Sequence, residues 1–182
     1  CALVKAHADV GNVPNDAAKE VEKKCSTKYV KVDRVKAIEA EINHDLMAMV
    51  KAYSEQCSGD AGKYIHLGAT SADIMDTSLA LQRKDFIAFL EQDLLDLRKV
   101  LIDLADKHKN TVCMGRTHAQ HAVPTTFGLK FAIYAEEVQR HIDRLKEFKP
   151  RILVGQMTGA VGTQAALGPK AVKIQELTMK YL

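Results

Sequence analysis

Ile87-Ala88-Phe89-Leu90-Glu91-Gln92-Asp93-Leu94-Leu95-Asp96-Leu97-Arg98-Lys99-Val100-Leu101-Ile102-Asp103-Leu104 decides the fold. Ile87, Leu90, Leu94, Leu97, Leu101 and Leu104 recur at alternating spacings of three and four, which draws an apolar seam along a helix in a heptad pattern. Neither proline nor glycine interrupts the interval from Ala72 to Lys109, so a single helix is expected there, roughly 55 Å long at about 1.5 Å per residue. A helix of that length needs partners along all of it. The nearest is a second long helix from Thr126 to about Phe148, with Phe127, Phe131, Tyr134, Val138, His141, Ile142 and Leu145 on one stripe and Pro150 ending it. The two are expected to lie antiparallel in a bundle.

Upstream, Ala2 to Val10 and Asn15 to Lys24 read as a pair of short helices around Gly11-Asn12-Val13-Pro14, and Asp33 to Gln56 as one longer amphipathic helix. A loop then runs from Ser58-Gly59-Asp60-Ala61-Gly62 to Ser71. No segment shows sustained strand alternation, so the fold class is all-α. The expected division is a small N-terminal helical domain over 1–70 and the first part of a long-helix bundle over 71–182. Cys1 and Leu182 both fall inside helix-like patterns, and both ends read as cut.

The 182 residues are 47% hydrophobic and 27% charged, enough apolar material for a sizeable core. A net charge of +3, with basic residues dispersed among acidic ones, leaves no electrostatic footprint for nucleic acid. No apolar run is long enough to span a bilayer. Cys1, Cys25, Cys57 and Cys113 form no C-x-x-C pair, which argues against a zinc site and for reduced thiols in a cytoplasmic protein.

Chemistry concentrates at three places. Gly115-Arg116-Thr117-His118-Ala119-Gln120-His121-Ala122-Val123-Pro124-Thr125-Thr126-Phe127-Gly128 puts two histidines, an arginine and several hydroxyls into a turn-rich loop between helices. The second place is His66-Leu67-Gly68-Ala69-Thr70-Ser71-Ala72-Asp73. Here Thr70 and Ser71 precede the long helix, where hydroxyls and free N–H groups suit a carboxylate or phosphate. The same spacing also makes a plain capping pair of Thr70 and Asp73, and His66 could equally orient the Gly68 turn. The third is Asn43-His44-Asp45, although His44 falls inside the expected helix from Asp33 to Gln56. His7, His108 and His141 read as solvated or core, and His121 as loop support. Gly155-Gln156-Met157-Thr158-Gly159-Ala160-Val161-Gly162-Thr163 lacks the lysine of a P-loop and reads as a tight connection between bundle helices.

In their order along the chain, the His66-to-Thr77 element, the Gly115-to-Gly128 element and Gly159-Ala160-Val161-Gly162-Thr163 resemble the fumarase/aspartase superfamily, most closely its adenylosuccinate lyase branch. Asn43-His44-Asp45 is similar to the His-Asp element of that branch. The resemblance covers the whole chain but only the first portion of a family member. It implies β-elimination of fumarate from adenylosuccinate, leaving AMP, and from the related succinyl carboxamide ribotide of purine biosynthesis. It implies no metal or cofactor, a homotetramer with active sites shared between subunits, and a small anionic nucleotide as the substrate. By motif position His118 is similar to the general acid, with Thr117 beside it as a substrate contact and His66 as a further histidine at the site. Thr70 and Ser71 match residues that hold the succinyl carboxylates, and Asn43, His44 and Asp45 match a nucleotide-contacting element. The family's base is a serine on a mobile loop not found before Leu182, so the 182 residues are expected to be inactive alone. The alternatives are a carboxymuconate cycloisomerase of the same superfamily and a non-catalytic helical assembly module.

Overall fold

The computed structural model describes residues 1–182, in two compact units. One unit comprises Cys1–Leu79 with Gly155–Leu182, and the other Ala80–Val154. These units are a matter of compactness, distinct from the expected division into 1–70 and 71–182.

The first unit contains α1 (Ala2–Asp9), α2 (Asn15–Lys24), α3 (Val32–Ile42), α4 (Asp45–Ser54), a short 3-10 helix Ala61–Tyr64 and the opening of α5 (Ser71–Lys107). A second 3-10 helix, Ala165–Leu167, and α7 (Ala171–Lys180) complete it; α6 belongs to the other unit. Helix α1 is buried on two sides because its apolar residues cover more than one stripe. Leu3 and Ala6 join Met157, Leu167, Ala171 and Ile174 in one core, while Val4 joins Val13, Val21, Tyr53 and Ala61 in another. The first core therefore ties the start of the chain to its last helix.

The single helix expected from Asp33 to Gln56 is two helices. Asn43 takes the left-handed conformation (φ 53°, ψ 39°) and closes α3, a geometry that asparagine tolerates better than most residues. His44 is extended (φ −148°, ψ 108°) and opens α4, its Nδ1 accepting the Met47 N–H at 3.3 Å. His44 is thus a helix cap and not a mid-helix residue, and the turn exposes Asn43, His44 and Asp45 together.

The second unit holds the remainder of α5, the strands β1 (Val112–Thr117) and β2 (Gln120–Thr126), and α6 (Phe127–Ile152). Helices α5 and α6 are antiparallel as expected. Glu91 pairs with Lys149 and Arg98 with Gln139, and the Gly128 N–H donates to the His108 carbonyl at 2.9 Å. Ile87, Ala135, Val138 and Ile142 are buried there. The rest of the seam is incompletely covered, with Leu97 47% exposed, and Phe86 and Phe89 beside it are more exposed still. Helix α6 continues past Pro150 to Ile152, because a proline so near the end removes an N–H from the last turns only.

Between these helices the expected loop is an antiparallel β-hairpin, the one strand pairing in a fold that is otherwise helical. Thr117 pairs with Gln120, leaving His118 and Ala119 as a two-residue turn with φ of 49° and 59°. Two consecutive positive φ values define the type I′ turn that matches strand twist. Glycine or asparagine ordinarily supplies it. No helix is long and apolar enough to cross a membrane.

Candidate active site

In the first unit the start of α5 gathers most of the candidates. His44 Nδ1 is occupied as an acceptor of the Met47 N–H, which leaves the ring N–H on Nε2. That nitrogen lies 3.3 Å from Ser71 Oγ, to which it donates. Ser71 Oγ then accepts from the protein and has its own proton free for a ligand. Asp45 Oδ1 lies 3.5 Å from His44 Nδ1 and accepts the Leu46 N–H, which steadies the first turn of α4. Asn43 contributes its exposed side chain from the helix break.

His66 is half-buried, and burial pushes its pKa down; the Asp73 carboxylate opposes this and the neighbouring His44 ring adds to it. The balance keeps His66 neutral near pH 7, with one ring nitrogen able to accept and the other to donate. The turn that carries it is held from both ends. Buried His7 donates from Nε2 to the Leu67 carbonyl at 3.1 Å, its Nδ1 accepting from Asn12 Nδ2 at 3.2 Å. At the other end the Thr70 N–H donates to Asp73 Oδ2 at 3.0 Å. Gly68 between them has φ 71°, and an added Cβ would come within 2.8 Å of the Ala166 carbonyl oxygen. Only glycine fits both conditions.

Asp73 does more than cap. Its side chain is fully buried, and Oδ1 accepts from Gln156 Nε2 (3.1 Å), the Thr158 N–H (2.9 Å) and Thr158 Oγ1 (3.3 Å). Oδ2 accepts from Thr70 and from the Gly159 N–H at 2.9 Å. Burial would raise its pKa, but the N–H donors of Thr158, Thr70 and Gly159 and the Gln156 amide hold it below the usual carboxylate range. Thr77 Oγ1 reinforces the same docking, accepting the Gln156 N–H at 2.9 Å and donating to its carbonyl at 3.0 Å. The glycine-rich stretch from Gly155 is therefore anchored on the helix start. Sequence reasoning assigned neither His7 nor Gln156, Thr158 and Gly159 to this place, since no local spacing links positions so far apart.

Thr117 and His118 lie in the other unit, at the exposed tip of the hairpin. His121 faces Arg116 across the strands, with 3.4 Å between its Nε2 and the guanidinium. Nowhere do three histidine, cysteine or acidic side chains gather as metal ligands would.

A pair of histidines, two hydroxyls and a helix start suit the binding of an anionic substrate and proton transfer near it. A profile of the lyase family matches residues 1–182. The chain belongs to that family. This lyase chain is 57% identical over 181 residues to the adenylosuccinate lyase of Pyrococcus abyssi (strain GE5 / Orsay), with 100% of the chain and 40% of that relative aligned. Among solved structures, the fumarate lyase from Mesorhizobium sp. BNC1 superposes with a TM-score of 0.92 at 38% identity, covering 98% of this chain and 42% of the other. The beta-carboxy-cis,cis-muconate cycloisomerase from Acinetobacter calcoaceticus sp. ADP1 gives 0.92 at 32% identity, covering 98% and 43%. The lyase chain thus spans 40% of the length of the curated relative, and its largely helical fold is that of fumarate lyases.

Proposed function

We propose that the protein containing this chain is an adenylosuccinate lyase, eliminating fumarate from adenylosuccinate to leave AMP, and likewise from the succinyl carboxamide ribotide of purine biosynthesis. The observation that carries this is the 57% identity to the Pyrococcus abyssi enzyme along the whole chain. The cluster at the start of α5 supports it. The elimination requires a base for the Cβ proton, donors for the charge that gathers on the adjacent carboxylate, and an acid for the leaving nitrogen. Thr70 and Ser71 supply the donors, with Ser71 oriented by His44. Asn43, His44 and Asp45 serve the nucleotide, and His66 completes the polar wall. His118 is the acid and Thr117 its neighbour on the substrate. The base comes from outside the 182 residues, no metal or cofactor takes part, and the chain alone turns over little.

The same proposal includes the domain division at 70/71, a homotetramer and a cytoplasmic location. Exposed apolar residues on α5 and α6, among them Phe86, Phe89, Leu97 and Ile133, favour association. In a tetramer with shared sites, His118 and the α5 cluster need not come from one subunit. The test is fumarate release from adenylosuccinate by the complete protein and by His118→Ala. Release is expected from the wild type, with a loss of about a hundredfold or more in the variant at unchanged oligomer size. Wild-type turnover in the variant would remove the acid role. No fumarate from a folded oligomer would replace the reading by the cycloisomerase or the assembly module.

A further inference from the structure

We infer that Asp73 is a positioning residue, which locks Thr70 and the Gly155–Gly159 segment into one carboxylate receptor and so sets how tightly that receptor holds a dicarboxylate. This deepens the proposed function and rests on it for the identity of the substrate, but not for the binding of the dicarboxylate itself.

Asp73 is fully buried, yet it is the acceptor for five donors from two stretches of chain. A cap needs only the Thr70 N–H. The other four donors are Gln156, the two groups of Thr158, and Gly159. They fix a glycine-bearing segment that could otherwise move against the helix start. Their placement is divided between the two oxygens, three donors on Oδ1 and two on Oδ2. An asparagine keeps the shape of the side chain but offers one acceptor oxygen and one NH2 group. Either orientation sets the NH2 against existing donors. The less damaging one faces Thr70 and Gly159 and strands both backbone N–H groups. Thr70 would then be free to turn, and Ser71, one residue on, would lose its register with His44.

The experiment uses the complete protein and its Asp73→Asn variant, with succinate as the binding probe and adenylosuccinate as the substrate. Circular dichroism and oligomer size establish that the variant is folded. Succinate affinity is then expected to fall about ten- to a hundredfold. Amide exchange should speed up in peptides carrying Thr70 and Gly159 and stay slow at Thr158. A residue that merely holds the fold would lower the melting temperature and leave succinate affinity in the folded variant unchanged. That result, or a wild type that binds no succinate, overturns the inference. If the wild type binds succinate without cleaving adenylosuccinate and the variant loses that binding, the proposed function fails and the inference stands. Should Asp73→Asn not fold, Gln156→Leu removes one donor and spares the carboxylate. It is expected to weaken succinate by a smaller factor, and unchanged affinity there also overturns the inference.

Discussion

Replacing Gly128 by alanine separates two opposite expectations. Gly128 lies in the first turn of α6, where no left-handed conformation is required, and alanine's helix propensity alone would stabilise the protein by up to about 1 kcal/mol. The structure predicts the reverse. A Cβ at this position would stand 2.5 Å from the Ala105 carbonyl oxygen, 2.6 Å from Lys109 Cα and 2.7 Å from Lys109 N. All three are backbone atoms, so no rotamer change relieves the overlap. The end of α5 has to move by most of an ångström, stretching the Gly128 N–H to His108 carbonyl bond. Overpacking of this kind costs about 1–3 kcal/mol, with backbone clashes at the upper end. Net destabilisation of about 2 kcal/mol follows once the propensity gain is subtracted. The assay is equilibrium urea unfolding of the complete protein at fixed concentration, with turnover measured alongside. Because the hairpin bearing His118 springs from this helix pair, turnover should fall as well. An alanine variant as stable as the wild type, or more so, would refute the close approach of α5 and α6.

Gly68→Ala combines positive φ with a 2.8 Å overlap against the Ala166 carbonyl oxygen. It should cost about 3 kcal/mol in the same unfolding assay, and a loss under 1 kcal/mol would show that the turn tolerates a side chain. His7 supplies a pH signature. Burial lowers its native pKa, so the unfolded chain takes up a proton first. Its contribution is complete above about pH 6.5, the ordinary histidine value, and is lost as pH falls through the lower native one. Stability of the wild type should decline from pH 7 to pH 5 more steeply than that of His7→Gln; equal slopes would contradict the buried, neutral ring.

The long helices were legible because a heptad seam from Ile87 to Leu104 is a local, periodic signal, and the antiparallel pairing followed from two stripes and a short connection. The break between α3 and α4 was missed because its markers are not the usual ones: asparagine in place of glycine at the left-handed position, and histidine in place of serine or aspartate as the cap. The hairpin was missed for a similar reason. His118-Ala119 is a poor type I′ sequence, and the strands beside it show no sustained alternation; β2 even contains Pro124, which edge strands accept. At the start of α5, spacing and turn chemistry put Thr70 and Ser71 just before the helix and left His66 open between a functional and a turn-orienting role. The hold of Asp73 on Thr158 and Gly159 could not, since nothing near residue 73 says which distant amides will reach it.

The interleaving of the two compact units has a consequence for how the chain is made. The unit spanning Ala80–Val154 is built from contacts between neighbours in sequence, two helices and the hairpin between them, and loop-closure entropy hardly opposes it. The other unit needs Leu3 and Ala6 to find Ala171 and Ile174, so its first core stays open until α7 has been synthesised. On a ribosome the Leu3 and Ala6 face of α1 must wait uncovered while an entire helical hairpin forms behind it, and that interval is when the nascent chain is most exposed to aggregation.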